Sequence, residues 1–420
     1  MQTLHSALGY LALLAIAWLL GTRRGAVPVR TVLVATGMQL IAAAVLLLTG
    51  LRLHVFGLAD GLAGVLKATA LRANESLLFV GISGSSFTTD YGPVLALEMA
   101  AILIFIASLS RVLYHYRILP WVIQGLSRVM ERVLGISAAE SVGVAANVFV
   151  GMTEAPLLIR PYVARLTQSE LFCLMVAGMA TIAGTVMVIY ASMLGTAHPE
   201  IAGHLFTASL ISAPAAIAVA KLMVPETEEP VTGGQRITLE ADDTLNGLDA
   251  AARGASEGIY LFINILAMLI AFIGLVALAN GAISLCDRLV NGAAAGSWSL
   301  QAALGYLLRL PVWLMGVPWA EARVVGELMG LKTILNEFVA YAELARRMSV
   351  GAGALSERSF LIATYALCGF ANFGSVAIMI GGIGGIAPDR RGDLARLGLR
   401  SLVAGTVATM LTGCVIGLFT

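Results

Sequence analysis

Two glutamates stand inside stretches apolar enough to lie in lipid. Glu154 belongs to Asn147-Val148-Phe149-Val150-Gly151-Met152-Thr153-Glu154-Ala155-Pro156, and Glu337 to Asn336-Glu337-Phe338-Val339-Ala340-Tyr341, within Gly330 to Leu344, which also holds Lys332. Unpaired charge in hydrocarbon costs several kcal/mol, and non-helical backbone survives there only when buried or lining a cavity. A site built from carboxylates, amides and hydroxyls suits an uncharged, hydroxyl-rich solute, because each buried group then finds a partner. The competing reading is structural, with the two glutamates serving as ion-pair partners of residues such as Arg160 and Lys332.

The rest of the chain must hold these groups in a membrane. Of 420 residues, 59% are apolar and 12% charged, about half the charged share of a soluble domain. The 45 glycines provide points where helices break or pack backbone to backbone. Lys plus Arg number 26 against 25 acidic residues, which leaves no electrostatic footprint for nucleic acid. Cys173, Cys286, Cys368 and Cys414 are widely spaced in apolar surroundings, form neither a metal pair nor a disulfide framework, and read as core thiols.

The run 7–20 has no preceding Lys or Arg and is followed by Arg23 and Arg24, the reverse of a cleaved signal peptide. The positive-inside rule then puts the N-terminus outside. Alternation carries the chain through 31–50, 93–113, 170–195, 205–224, 259–285, 359–386 and 397–419, about eight spans with both termini on the outer side. Residues 54–79, with Lys67 and Arg72, read as an amphipathic outer-face segment, and Pro225 to Gly254 as a cytoplasmic linker. Two regions, roughly 138–168 and 300–347, are too polar to cross as single helices and read as re-entrant hairpins.

Each hairpin precedes an interrupted span, and the two spans resemble each other. Gly178-Met179-Ala180-Thr181 parallels Gly369-Phe370-Ala371-Asn372, and Gly184-Thr185-Val186 parallels Gly374-Ser375-Val376. Matching Gly-interrupted segments in two halves point to a transporter site at a repeat interface. The predicted fold is an all-α polytopic membrane protein with about eight transmembrane helices and two re-entrant helical hairpins in an inverted repeat.

The motifs Gly151 to Leu158 with Arg160-Pro161-Tyr162, Asn336 to Tyr341, and Ala366-Leu367-Cys368-Gly369-Phe370-Ala371-Asn372-Phe373 closely resemble those of the concentrative nucleoside transporters. The resemblance runs from about residue 90 to the C-terminus. It implies a homotrimer whose scaffold part trimerises while a transport part moves like an elevator; the cell inner membrane is the expected location. The implied divisions are scaffold helices in 1–135, a transport domain of the first hairpin and two spans in 136–224, a linker and scaffold span in 225–300, and a transport domain of the second hairpin and two spans in 301–420.

The same resemblance implies that Thr153 and Glu154 contact the nucleobase, that Glu337, Asn372 and Ser375 bind the ribose, and that Val186 and Phe370 form apolar walls. It places Na+ at the side chains of Asn147 and Thr181 and the carbonyls of Val150 and Ile182. Hard oxygens beside a broken helix suit an alkali cation. Thr181 stands where relatives often have Ser and supplies the same hydroxyl, so sodium coupling is expected over proton coupling. Met152 replaces a Gln common in the family, which removes an amide from the base site. A soft apolar wall discriminates less among bases and adapts its shape. The Gly151-Met152 pair resembles that of the family's purine-preferring members, which implies purine nucleosides over cytidine and thymidine, with uridine tolerated; Met152 as packing filler is the alternative. Lipid, nucleoside and Na+ are the expected partners, with no cofactor and no catalysis.

Two other classes compete. Gly81-Ile82-Ser83-Gly84 matches the nucleophile pattern of intramembrane serine proteases, but His5, His54, His115, His198 and His204 fall at predicted helix ends or loops, so the stretch from Gly81 to Thr89 reads as an ordinary loop. A channel would select by repeated charges or carbonyl rings, whereas the polar groups here are varied. Gly381-Gly382-Ile383-Gly384-Gly385 lacks a strand context for nucleotide binding and reads as a helix break or packing surface.

Overall fold

The computed structural model describes residues 2–78, 95–195, 197, 198, 200–234, 237, 239, 244–291, 299–350 and 355–420. Every regular element among them is helical. The stretch from Gly81 to Thr89 lies outside the described residues.

Three helices lead the chain: α1 (Gln2–Leu19), α2 (Val29–Leu48) and α3 (Leu51–Leu78). α4 (Leu95–His115) turns through 75° into α5 (Ile118–Leu134), the most amphipathic of the described helices, which stops at Gly135 with φ +67°. The first hairpin pairs α6 (Ala138–Asn147) with a 3-10 turn (Ala155–Ile159) that runs into the one-turn α7 (Arg160–Val163). The interrupted span follows as α8 (Gln168–Ala180) and α9 (Gly184–Leu194), then α10 (Ile201–Met223).

The second half repeats this order. After α11 (Gly247–Asn291) come α12 (Leu300–Leu314), α13 (Trp319–Ile334) and α14 (Glu337–Val350). α15 (Glu357–Leu367) and α16 (Phe373–Ile386) form the second interrupted segment, and α17 (Arg391–Phe419) closes the chain.

Several boundaries differ from the sequence reading. The region 300–347 is not one hairpin: α12 folds back on α13 at 118° beside Gly316, whose φ is +101°, and the hairpin proper is α13 with α14. α12 is thus the counterpart of α5. Six described helices are long and apolar enough to cross a membrane, and eight if each bent pair counts as one span. The segment 359–386 is absent from the six because the break divides it into α15, of 11 residues, and α16, of 14, each too short to cross alone. The linker is shorter than expected: α11 starts at Gly247, where the Asn246 carboxamide accepts from the N–H groups of Leu248 and Asp249. Residues 381–385 do not break α16. Cys173, Cys368 and Cys414 are buried as expected, but Cys286 is exposed on the outer flank of α11.

Burial identifies what holds what. Within the apolar window of α10, 89% of residues are buried, against 6% for α11. α10 is therefore the centre of the packing, with α8, α17 and α2 around it, whereas α11 packs along α4 at the periphery. α1 lies along α17. The hairpins are fixed at their bases by capping. Ser137 caps α6, Thr167 and Glu170 form a capping box on α8, and the Ser137 hydroxyl also donates to Glu170. Lys221 of α10 lies 2.7 Å from Glu140 of α6, so three elements share one buried charge network. Such a network holds register because removing one member strands the others in a low dielectric.

Candidate solute and ion site

The two interrupted segments meet where they break. A Cβ added at Gly369 would sit 2.8 Å from the Met179 carbonyl oxygen and 3.0 Å from the Ala180 carbonyl carbon, so only glycine allows this approach. Each hairpin then packs on the broken helix of the other half. From the first hairpin, Thr153 lies against Gly382 of α16, while Met152 lies against Gly178 of its own half's α8, where Met379 of α16 also reaches. From the second, Glu337 accepts a hydrogen bond from the hydroxyl of Tyr190 on α9, at 2.7 Å. This reciprocal packing is what an inverted repeat produces at its interface.

The Glu337 carboxylate is 5% exposed and occupied on both oxygens. Besides Tyr190 on Oε1, Asn372 donates from Nδ2 to Oε2 at 3.3 Å. The other end of the Asn372 amide caps α16, its Oδ1 accepting from the Ser375 N–H at 2.7 Å. Asn372 is therefore oriented from both ends, and Ser375 follows it into the first turn. Phe370 is half-buried in the break, and its carbonyl accepts from the Asn372 N–H at 2.8 Å. Behind them Tyr341 stacks near Tyr190, with centroids 4.7 Å apart, and donates to the Thr364 carbonyl. Lys332 is fully buried but does not pair with Glu337: its ammonium donates to the Ala366 carbonyl at 2.9 Å and the Thr409 hydroxyl at 3.0 Å. Likewise no ion pair among the described residues joins Glu154 to Arg160, so the structural reading of both glutamates loses its proposed partners.

The first half is arranged differently. Glu154 is exposed, folded over Gly151 so closely that a Cβ there would meet its Oε2 at 2.1 Å. No hydrogen bond ties its side chain to any other predicted site residue. It faces a cavity of about 460 Å³ lined by Phe149, Val150 and Arg160 of the hairpin, Thr185 of α9, and residues of α4 and α11. That volume lies within the ~300–1,000 Å³ of small-molecule pockets. Val186 is buried one residue beyond Thr185.

The oxygen set predicted for a cation converges in part. Asn147 ends α6, and the Thr181 hydroxyl lies 3.1 Å from its main-chain carbonyl and 2.8 Å from that of Ala177. The Asn147 side chain donates to the Gly143 carbonyl, which leaves Oδ1 buried with no donor. Ile182 is fully buried in the break, with its carbonyl accepting from Ser209 at 3.3 Å. Val150 is half-buried in the turn after α6, its N–H bound to the Ala146 carbonyl. An orphaned amide oxygen beside a hydroxyl and free carbonyl lone pairs is a donor set suited to a hard cation.

Tyr190 is the residue that the sequence reading missed. A buried tyrosine hydroxyl needs a partner, and its place in the span after Gly184 could have linked it to Glu337. His204, expected at a helix end, is buried in the first turn of α10 with Nδ1 3.0 Å from the Tyr365 hydroxyl.

Comparison with known proteins agrees with this arrangement. Residues 8–71 and 204–417 match the models described as the N-terminus and C-terminus of Na+ dependent nucleoside transporters, and 96–197 match one described as nucleoside recognition. An uncharacterized transporter of Haemophilus influenzae is 40% identical over 100% of this chain and 98% of its own length. The nucleoside permease NupC of Helicobacter pylori is 37% identical, with the same coverage of each chain. Among solved structures, CNTnw in an inward-facing substrate-bound state superposes with a TM-score of 0.91 at 38% identity, over 100% of both chains.

Proposed function

The chain belongs to the concentrative nucleoside transporters, a family of Na+-dependent membrane carriers rather than enzymes, and from that premise we propose that it is a Na+-coupled nucleoside symporter preferring purine nucleosides. One observation carries the reading: the buried Glu337 carboxylate, held by Tyr190 from one half and Asn372 from the other at the head of a broken helix. A hydroxyl-rich ribose satisfies such a group, because its hydroxyls donate to the carboxylate and accept from the amide.

In this reading Glu337, Asn372 and Ser375 take the ribose, Thr153, Glu154 and Met152 take the base, and Val186 and Phe370 form the walls. Na+ takes Asn147 Oδ1, the Thr181 hydroxyl and the carbonyls of Val150 and Ile182. The unpartnered Asn147 Oδ1 supports sodium over proton coupling, since a proton has no use for a four-oxygen set. One charge moving across 100 mV yields roughly 2.3 kcal/mol, and a tenfold sodium gradient about 1.4. With one ion per nucleoside these sum to an accumulation on the order of several hundredfold.

The packing supports an elevator with the scaffold confined to α4 and α11. α1 and α2 pack on α17 and α10, so they travel with the transport part and leave the scaffold smaller than residues 1–135. The exposed apolar flank of α11, including Tyr260, Ile270 and Leu278, suits lipid or the other copies of a homotrimer. The positions of the arginines support both termini lying on the outer side of an inner membrane.

Initial-rate uptake of radiolabelled adenosine and uridine into proteoliposomes tests the reading, with an inward gradient of sodium or choline at fixed pH. Sodium-dependent accumulation, strongest for adenosine, is the expected result. Equal uptake in choline that follows a proton gradient would remove the sodium site, and uptake of neither nucleoside would remove the substrate.

A further inference from the structure

The cavity facing Glu154 has a second wall whose charges the site above does not use. Gly254 and Gly258, one turn apart on α11, lie against the backbone of α4. A Cβ at Gly254 would meet the Ala107 carbonyl oxygen at 2.6 Å, and one at Gly258 the Ile104 Cα at 2.7 Å. Small residues at this spacing let two helices approach backbone to backbone. The approach fixes what lies beside it: Arg111 of α4 stands 3.7 Å from Glu257 of α11. Ala107, Ser110, Arg111 and Tyr114, spaced i, i+3, i+4, i+7, form one face of α4, and that face and Glu257 line the cavity opposite Glu154.

Neither charge serves the close packing, which the glycines provide. Glu257 keeps 54% of its side chain exposed and Arg111 27%, so the pair has donors and acceptors to offer the cavity. We propose that Arg111 and Glu257 form a second, static binding station that holds the base of the nucleoside as it leaves Glu154 toward the cytoplasm. The guanidinium donates to ring-nitrogen or carbonyl acceptors on the base edge, and the carboxylate accepts from an exocyclic amino group. Tyr114 and Ser110 add hydroxyls to the same wall. Glu154 travels with the hairpin while Arg111 and Glu257 stay with α4 and α11, so the solute passes from a moving carboxylate to a fixed ion pair. The inference rests on the nucleoside reading and on the α4 and α11 ends being cytoplasmic.

Nucleoside exchange in vesicles of the two orientations tests it, with the half-saturating adenosine concentration measured on each face. For Arg111→Gln the ratio of the inner to the outer value should rise about tenfold, the effect of one lost charge-assisted hydrogen bond. Glu257→Gln, nearly the same shape and half in solvent, keeps the fold and should move the ratio in the same direction, more for adenosine than for uridine. The exchanged pair Arg111→Glu with Glu257→Arg restores an ion pair but reverses donor and acceptor, so the ratio should stay high. A ratio unchanged in the single variants, a shift confined to the outer face, or full recovery in the exchanged pair would overturn the station, the last by reducing it to a helix clamp. Absence of nucleoside exchange in the unaltered protein would instead overturn the nucleoside reading.

Discussion

The two halves share an order of elements but not a state of saturation. In the second, Glu337 has both oxygens occupied, Asn372 is held at both ends, and even the buried Lys332 finds two oxygens. In the first, Glu154 faces a cavity without a side-chain partner and Asn147 Oδ1 is buried without a donor. Repetition of the fold supplies two broken helices at one level, and side chains then divide the work. One half is preorganised by the protein itself, while the other keeps oxygen atoms that no side chain among the described residues saturates. Preorganised groups lose little on binding, whereas groups left open couple binding to whatever fills them.

The comparison breaks most sharply at Glu337. In Glu337→Gln the new amide brings a second NH2 group against either the Asn372 amide or the Tyr190 hydroxyl. Two charge-assisted hydrogen bonds are weakened, each worth about 1.5–3 kcal/mol, so uptake should fall by about a hundredfold or more. The variant should also lose on the order of 2 kcal/mol of stability, because the misfit is buried. Flux in proteoliposomes and a thermal midpoint on the same preparation check both, and wild-type flux would detach Glu337 from the solute.

Thr181→Ala probes the open half. Removing one ligand of the proposed ion site should raise the sodium concentration for half-maximal uptake about tenfold, while Thr181→Ser restores it, a comparison read from sodium titrations at saturating adenosine. A common loss of maximal rate in both variants, with no shift in sodium dependence, would mean that the hydroxyl only braces the break through Ala177. Glu154→Gln should reduce apparent nucleoside affinity by several-fold to tenfold. An exposed carboxylate whose only contacts are local backbone N–H groups of its own turn contributes little to folding, so stability should change by less than about 0.5 kcal/mol. Equal destabilisation of the Glu154 and Glu337 variants would erase the distinction between the halves.

What the sequence made legible follows the same division. Charges at forbidden depth, Gly/Pro breaks and the paired motifs are local signals, and they located the two hairpin regions, both breaks and Glu337 itself, whereas the grouping of Glu337 with Asn372 came from the family resemblance. Contacts between distant segments left no local mark. Tyr190 reaches Glu337 across 147 positions, and α12 reads as half of a hairpin because its turn at Gly316 depends on packing against α13. Arg111 and Glu257 look like ordinary span-end charges until the Gly254 and Gly258 contacts bring α4 and α11 together. Nor does any local mark in the first two spans show that they pack on α10 and α17.

The smallest expected effect belongs to Met152. It sits at the tip of the open half against Gly178, where a Cβ would lie 2.8 Å from its own Cβ, and near the Met379 sulfur. Its stem is thus clamped by α8 and α16 while the residue remains half-buried. In Met152→Gln the stem fits the same clamp, but the thioether gives way to a planar amide that both donates and accepts. A base edge with alternating donor and acceptor gains a partner, and a flat apolar purine face loses a polarizable wall. Competition between adenosine and cytidine for uptake should shift several-fold toward cytidine, about 1 kcal/mol, with total flux much less affected than in the Glu337 variant. The same shift should appear in a Glu337→Asp background if base and ribose are read independently by the two halves, because distant sites with no shared partner add. An unchanged competition profile would make Met152 a packing residue of the α8–α16 contact and return base selection to Thr153 and Glu154.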